Sequence, residues 1–331
     1  MYPFVSIIIP CRNEEKHIGK CLDSIIEQDF PKENLEVLVV DGDSTDRTRE
    51  IVEKLKIKNE RLKIKLLANP KKYTPFGLNI GIKEAKGDVV IRMDAHAGYE
   101  KDYISKCVKV LQESGADNVG GAIKTLPAAD TMAARAIAYV LSGPLGAVSV
   151  FRLGSAKTME VDTVFGGCYK KEIFEKIGLF DERMLRSQDI EFNKRLKKAG
   201  GKIILSPEII SVYYPQTTLF SFLKHNFQDG VWVTYPLKFG VRYFSLRHLI
   251  PLFFVSILMG LGFFSFFSKT IFFLFLLDTV FYFAANKFIS WRISRREKEP
   301  LLFPFLVIAS VSRHFGYGLG SLWGLVKTLK G

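Results

Sequence analysis

With 331 residues, the chain is long enough to bury one large domain and still leave about 100 residues for another task. Its formal charge is +13 and 48% of it is hydrophobic, but the cations gather beside an apolar run, which argues for a membrane surface and excludes nucleic acid as the expected partner. The four cysteines, Cys11, Cys21, Cys107 and Cys168, show no close-paired spacing, which excludes a zinc site or redox pair and predicts reduced core thiols.

In chain order, candidate strands fall at residues 5–10 (Val-Ser-Ile-Ile-Ile-Pro) and 35–40 (Leu-Glu-Val-Leu-Val-Val). Both are nearly continuous apolar runs, as expected of strands covered on both faces. Between them, residues 14–28 carry Ile18, Cys21, Leu22, Ile25 and Ile26 at helical spacing. Asp41-Gly42-Asp43-Ser44-Thr45-Asp46 closes the second strand, and a helix over 47–55 follows with Ser44 or Thr45 as cap. A strand at 62–67, a Pro-containing loop, a short helix over 78–85 and a strand at 89–93 then lead to Asp94-Ala95-His96.

This alternation predicts an α/β domain with a mostly parallel sheet. A carboxylate at the carboxyl end of a parallel strand points into the crevice where such a sheet binds its ligand. The two acidic clusters therefore predict a nucleotide and metal site, although Asp-Gly and Ser-Thr-Asp runs also suit plain turns and caps. Further on, Phe165-Gly166-Gly167-Cys168 fits either a close backbone approach to a ligand or a turn before a helix at Lys171. Asp189 precedes a predicted helix over 190–199 with Ile190, Phe192 and Leu196 on its apolar face, and could cap it. The Ala- and Gly-rich stretch 128–154 reads as an acceptor loop or a packed helix.

The last third is membrane-like. Residues 249–267 carry no charge, and 270–286 are interrupted only by Asp278, so the two predict a helical hairpin. A third run over 301–326 holds Arg313 and His314, a costly pair in lipid unless they face protein, water or a polar ligand, for which a lipid diphosphate is a candidate. Lys287, Arg292, Arg295, Arg296 and Lys298 follow the second run and mark the cytoplasmic side, which places the N-terminal domain on that face. Residues 1–20 contain no apolar run of signal-peptide length. Residues 216–247, with Phe220, Phe222, Lys224, Trp232, Arg242 and Arg247, predict an amphipathic interface segment. The expected organisation is thus a catalytic domain over 1–215, an interface segment over 216–247 and a membrane region over 248–331.

Four ordered motifs carry a family resemblance: Val5 to Glu15, Val40 to Asp46, Asp94-Ala95-His96 and Ser187-Gln188-Asp189. Together they resemble a family 2 glycosyltransferase with the GT-A fold over roughly residues 3–235. Leu78-Asn79-Ile80-Gly81 and Arg92 to Ala97 further resemble the succinoglycan-type exopolysaccharide transferases of bacteria. The resemblance implies a membrane-attached, inverting, metal-dependent enzyme that adds one sugar from a nucleotide sugar, with UDP as the expected nucleotide, to a polyprenyl-diphosphate-linked glycan. It implies that Pro10, Arg12 and Glu14 line the base pocket, that Asp41 and Asp43 take uracil and ribose, and that Asn79 belongs to the donor site. Asp94 and His96 would hold the divalent ion, with Mn²⁺ favoured over Mg²⁺ because one ligand is an imidazole; His96 also fits a solvated strand end. Asp189 would be the base, with Gln188 in place of the family's usual Glu.

Leu78 stands where many relatives carry Arg, so Arg92, Lys71 or Lys72 would face the donor diphosphate instead. Gln228 and Trp232 lack the spacing and the Arg of the processive motif, which favours transfer of a single sugar. Two alternatives remain at this point: a polyprenyl-phosphate sugar synthase, and a non-catalytic nucleotide-sugar-binding scaffold.

Overall fold

The fold, a computed structural model, describes residues 2–146, 150–153 and 157–329. Part of the Ala- and Gly-rich stretch, residues 147–149 and 154, lies outside the described residues. In chain order the elements are β1 (Val5–Cys11), α1 (Ile18–Ile26), β2 (Leu35–Asp41), α2 (Thr48–Lys58), β3 (Lys63–Ala68), α3 (Thr74–Glu84), β4 (Val89–Arg92), β5 (Ala97–Tyr99), α4 (Tyr103–Ser114), β6 (Asn118–Thr125), α5 (Met132–Ser142) and α6 (Val150–Leu153). They continue with β7 (Met159–Glu160), β8 (Cys168–Lys170), α7 (Glu172–Ile177), α8 (Gln188–Lys198), β9 (Ile203–Tyr213), α9 (Leu219–Thr234), α10 (Leu246–Phe264), α11 (Lys269–Arg296) and α12 (Leu302–Leu329).

Met1–Lys124 and Ser149–Tyr213 form one compact unit. Among the described residues its strands make a single sheet in the order β3-β2-β1-β4-β8-β6-β9-β5, with β7 paired to β9. β1 runs parallel to β2 and β4, and β2 runs parallel to β3. β8 is antiparallel to β4 and β6, so the sheet is mixed. The chain steps outward from β1 to β3 and then returns to the other edge of β1. At that reversal the carboxyl ends of β1, β2 and β4 open a crevice.

Alternation builds both faces. Ile7, Ile9, Val37 and Val39 pack on Ile18, Leu22 and Ile25 of α1 and on Ile104 and Leu111 of α4. Ile8, Leu38 and Val40 pack on Leu78 and Ile82 of α3 and on Phe192 and Leu196 of α8. Each such fully buried aliphatic side chain contributes about 1.5–3 kcal/mol. All four cysteines are buried free thiols, and burial pushes Cys11 and Cys21 up to about 12.

Two helices differ from the expected lengths for local reasons. α1 starts at Ile18 because the amides of Asn13, Glu14 and Glu15 are spent on side chains of the β2–α2 loop. α3 starts earlier than expected, with Pro75 in its first turn, where a missing N–H costs nothing.

Thr125–Val148 and Tyr214–Gly331 form the second unit. Residues 125–148, inside the range expected for the catalytic domain, group here because α5 packs on α12. Arg135 pairs with Glu299 at 2.6 Å, and the Tyr139 hydroxyl donates to Glu297 at 2.7 Å. Among the described residues α10 and α11 are the two helices long and apolar enough to cross a membrane. α11 has 28 residues, about 42 Å at 1.5 Å per residue, longer than a hydrocarbon core of about 30 Å.

α12 covers the third apolar run, and much of it is buried. Its Leu302, Leu306, Ala309, Ser310, Gly316 and Gly320 are buried. A Cβ at Gly320 would collide with the Phe227 carbonyl, and one at Gly324 with Thr234, so glycines set the close approach of α12 to α9. α9 in turn buries Phe222, Asn226 and Val233, so the interface segment is partly core.

Of the surroundings expected for Arg313 and His314, the structure shows protein. Arg313 donates to Asn226 Oδ1 and to the Gly146 carbonyl, while His314 bonds the Leu145 carbonyl at 2.6 Å and Tyr282 at 3.0 Å. Protein partners meet the cost that had suggested a lipid diphosphate.

Candidate active site

Three successive strand-to-helix loops build the crevice, and each carries a non-glycine residue at positive φ: Asn13 (57°), Asp43 (60°) and Lys72 (68°). A fourth, Ser187 (56°), caps α8. Among the described residues only Lys298 shares this conformation elsewhere. Such strain costs about 1–3 kcal/mol per residue and collects where geometry serves function.

Hydrogen bonds lock the loops together. The Asn13 amide donates to Ser44 Oγ (2.9 Å), Glu14 to Thr48 Oγ1 (2.7 Å) and Glu15 to Asp46 Oδ2 (3.1 Å), while Thr45 returns an N–H to Asn13 Oδ1 (2.9 Å). Asp46 Oδ1, not Ser44 or Thr45, takes the first amide of α2, that of Thr48, at 3.0 Å. Gly42 donates to the Cys11 carbonyl at 2.8 Å. A Cβ on Gly42 would stand 2.8 Å from the Lys72 carbonyl, so only glycine lets the β3–α3 loop close over it.

Each acid on the crevice floor faces a cation. Asp41, 3% exposed, ends β2; its Oδ2 accepts from the Ser44 amide at 3.2 Å and lies 3.6 Å from Arg49 Nε. Its Oδ1 is buried without a hydrogen-bond partner. Asp43 pairs with Lys72 at 2.7 Å, and that hydrogen bond holds its carboxyl below the usual range. Glu14 Oε1 lies 3.1 Å from His96 Nδ1 and raises the imidazole pKa. Arg92 places Nε (3.1 Å) and Nη2 (3.0 Å) on Asp94 Oδ1. Burial alone would raise the Asp94 carboxyl, but Arg92 and His96 hold it low.

Asp189 stands half-buried in the first turn of α8, where a carboxylate suits the helix dipole. Its Oδ1 accepts from the Ile190 amide at 2.9 Å, and Ser187 occupies the cap position. The helix is fixed from both ends. Arg195 clasps Glu191 (2.6 Å) and donates to the carbonyls of Ile177 (2.7 Å) and Leu179 (2.8 Å). Asn193, one turn beyond Asp189, accepts from Asn118 Nδ2 and donates to Thr163 Oγ1, both at 2.9 Å.

The other expected residues fall as follows. Pro10 packs on α3 near Gly77, and Arg12 is exposed at the rim. Asn79 is 3% exposed, and both ends of its amide are used: Nδ2 donates to the Phe180 carbonyl (2.9 Å) and Glu182 (3.1 Å), and Oδ1 accepts from the Phe180 amide (3.0 Å). In this structure it holds the α7–α8 loop. Gly166 (φ 70°) and Gly167 (φ 98°) form the turn beside β4, where the Gly167 carbonyl accepts from the Arg92 amide at 3.0 Å.

Sequence reasoning missed Arg49, Asn118 and Asn193. Asn193 had a signal, being a polar residue beside Phe192 and Leu196 on an apolar stripe.

A divalent ion fits what remains. Arg92 leaves Asp94 Oδ2 clear, and Glu14 takes only Nδ1 of His96, which orients the ring and leaves Nε2 as a lone-pair donor. Among the described residues no cluster of three His, Cys, Asp or Glu side chains would hold an ion unaided. Phosphate oxygens of a donor and water would complete the shell.

Comparison with known proteins bears on the family and the fold. A sequence profile described as glycosyl transferase family 2 matches residues 6–177. A dolichyl N-acetyl-α-D-glucosaminyl phosphate 3-β-D-2,3-diacetamido-2,3-dideoxy-β-D-glucuronosyltransferase of Methanococcus voltae is 35% identical over 263 residues, covering 78% of this chain and 81% of that protein. The succinoglycan biosynthesis protein ExoA of Rhizobium meliloti is 30% identical over 248 residues, 70% of this chain and 74% of its own length. Among solved structures, the mannosyltransferase PcManGT of Pyrobaculum calidifontis, in complex with GDP-mannose and Mn²⁺, superposes with a TM-score of 0.63 at 20% identity. The match covers 95% of this chain and 87% of that one. The last likeness shows the fold, the GT-A arrangement.

Proposed function

The chain belongs to glycosyl transferase family 2 and is a glycosyltransferase, and on that premise we propose that it adds a single sugar from a UDP-sugar to a lipid-linked glycan with inversion. The carrying observation is that the chain carries two separately held carboxylates, Asp94 gripped by the Arg92 guanidinium at 3.0 Å and Asp189 half-buried in the first turn of α8: a module that only bound nucleotide sugar would need no carboxylate placed as a base.

Donor binding would use the unpartnered Asp41 Oδ1 for an N–H of the base, with Asp43 beside it. Arg49 and Lys72, now paired with these acids, lie within the same crevice. Asp94 and His96 would hold a divalent ion, Mn²⁺ in preference to Mg²⁺, which would neutralise charge on the leaving diphosphate. The acceptor hydroxyl forms its bond to the anomeric carbon as the bond to the diphosphate oxygen breaks. The electron pair leaves with the nucleoside diphosphate and Asp189 receives the proton. One displacement inverts the anomeric centre.

The acceptor reading rests on two supports. The Methanococcus voltae relative is named for a sugar carried on dolichyl phosphate, and α10 and α11 can cross a bilayer. We assign a polyprenyl phosphate or diphosphate as the carrier. The cations Lys287, Arg292, Arg295 and Arg296 at the end of α11 support an orientation with that end, and the chain entering α10, on the cytoplasmic side.

The test is nucleotide release by the detergent-purified full chain over a panel of nucleotide sugars with Mn²⁺ and lipid-linked sugars, followed by product mass. Turnover of one UDP-sugar, abolished by Asp189→Asn while donor binding persists, is expected. Nucleotide binding without turnover on a competent acceptor would overturn the reading in favour of a scaffold, and a product consisting of lipid phosphate plus one sugar would mark a polyprenyl-phosphate sugar synthase.

A further inference from the structure

We propose that Asn79 is a positioning residue of the transfer step: it ties α3, the helix that follows the donor-side loop, to the segment on which α8 and Asp189 are fastened, and touches no substrate itself. The proposal rests on the transferase reading above.

Asn79 lies in the second turn of α3 and is 3% exposed. Asparagine is a weak helix former because its amide competes for backbone groups, and a buried amide is nearly always hydrogen-bonded. Here it pairs with one backbone unit much as a neighbouring strand would. Nδ2 donates to the Phe180 carbonyl at 2.9 Å, and Oδ1 accepts from the Phe180 amide at 3.0 Å. Nδ2 also donates to Glu182 Oε1 at 3.1 Å. This network fixes which way the amide points and leaves it no N–H to offer a ligand.

Phe180 lies outside helix and strand, yet its segment is also fastened to α8. Arg195 donates to the Ile177 carbonyl at 2.7 Å and the Leu179 carbonyl at 2.8 Å while clasping Glu191 at 2.6 Å. The rings of Phe180 and Phe192 lie 4.6 Å apart, and the Arg195 guanidinium covers Phe192 at 5.1 Å. An unbroken series of contacts thus runs from Asn79 through Phe180 to Phe192, less than one helical turn from Asp189. The loop between Phe180 and α8 ends in Ser187 at φ 56°, a conformation that persists only where its surroundings over-determine it.

The head of α3 follows Lys72, which pairs with Asp43 at 2.7 Å, and its Gly77 backs on Pro10. One short helix therefore carries the donor loop at its start and the fastening of the base helix in its second turn. Transfer needs such a gauge, because the anomeric carbon and Asp189 must be held at a fixed separation and a misplacement of about 1 Å costs about 100-fold in rate. Packing alone does not need the amide: Leu78 and Ile82 of α3 already share one apolar cluster with Phe192 and Leu196 of α8.

The experiment compares wild type, Asn79→Ala and Asn79→Asp in the full chain with Mn²⁺ and lipid-linked acceptors. Asn79→Ala removes all three bonds. Asn79→Asp keeps the volume and the bond from the Phe180 amide but sets an oxygen against the Phe180 carbonyl. Calorimetry with UDP gives both Kd and the number of binding sites, and kcat is expressed per site, so that loss of folded protein does not count as loss of rate. Both variants are expected to lower kcat per site about 100-fold, with the UDP Kd and the donor KM unchanged. Amides 188–192 should lose protection from hydrogen exchange while those of β1 and β2 keep theirs.

Weaker UDP binding in parallel with kcat would overturn the proposal and make Asn79 a donor contact. An unchanged kcat per site would overturn it in favour of a role in the fold alone, and unchanged protection over 188–192 would refute the tie. Wild-type exchange tests the tie without any variant: the Phe180 amide, held by a side chain outside helix and strand, should exchange as slowly as the amides of α8, and rapid exchange there refutes it. Absence of wild-type turnover on a competent acceptor would instead count against the transferase reading.

Discussion

Asp41→Ala should weaken UDP binding by roughly 10- to 100-fold. The carboxylate sits 3% exposed at the end of β2, with one oxygen held by the Ser44 amide and the other unpartnered. A hydrogen bond to a charged acceptor contributes about 1.5–3 kcal/mol, and each 1.4 kcal/mol is about tenfold in Kd. Asp41→Asn keeps an acceptor without the charge, so its loss should be nearer tenfold, about 1.4 kcal/mol. Stability should move the other way or barely at all. The Arg49 partner lies 3.6 Å off and is 57% exposed, a type of pair worth at most about 1 kcal/mol, while removing an unpartnered buried oxygen relieves the donor-free state. Calorimetric titration with UDP, and with GDP as a comparison, gives Kd; thermal unfolding in the same detergent gives stability. An unchanged UDP Kd in Asp41→Ala would refute the assignment of the orphan oxygen to the base. A large fall in Tm together with weaker binding would show that Asp41 acts through the fold.

Three further outcomes are expected. His96→Asp restores an all-oxygen pair and should raise activity with Mg²⁺ relative to Mn²⁺, read from metal-dependent turnover; an unaltered ratio would remove His96 from the ion. Burial alone would raise the Glu36 carboxyl, but the Lys86 amide, Ser6 and Lys65 hold it below the usual range. Its stabilisation is therefore present above the ordinary carboxylate pKa and is lost as pH falls through the folded value, and Glu36→Gln should flatten that acid limb in a pH series of unfolding midpoints. Gly320→Val forces α12 off the Phe227 carbonyl and should cost about 1–3 kcal/mol or more, whereas Gly260→Ala, with open space around it, should leave the Tm in place.

Much of the first unit was legible because its signals are local. The runs at 5–10 and 35–40 are buried on both faces, so their hydrophobicity is continuous and marks the strands and the acids that end them. The pairing of acids with cations was not legible, since Arg49 meets Asp41, and Lys72 meets Asp43, only once three loops close on one another. Asn79 shows the limit of motif reading: its position matches the family, yet its amide is engaged by Phe180, about a hundred residues away. The partners of Arg313 and His314 in the third apolar run were hidden for a related reason. Hydropathy counts residues without their neighbours, and Arg313 and His314 found carbonyl partners in residues 145–146, a contact no window of sequence contains.

The grouping of residues 125–148 with the C-terminal helices has a consequence for biosynthesis. α5 leaves the ribosome with Ile137, Val140 and Leu141 ready for burial, but about 160 more residues must be made before α12 begins. At roughly 5–20 residues per second that is a wait of about 8–30 s. During this interval the nascent chain carries an apolar helix whose packing partner has not yet been made. A nascent chain stalled or cut at residue 214 would never resolve that state, so premature termination should feed proteolysis and aggregation rather than leave the first unit as a free fragment.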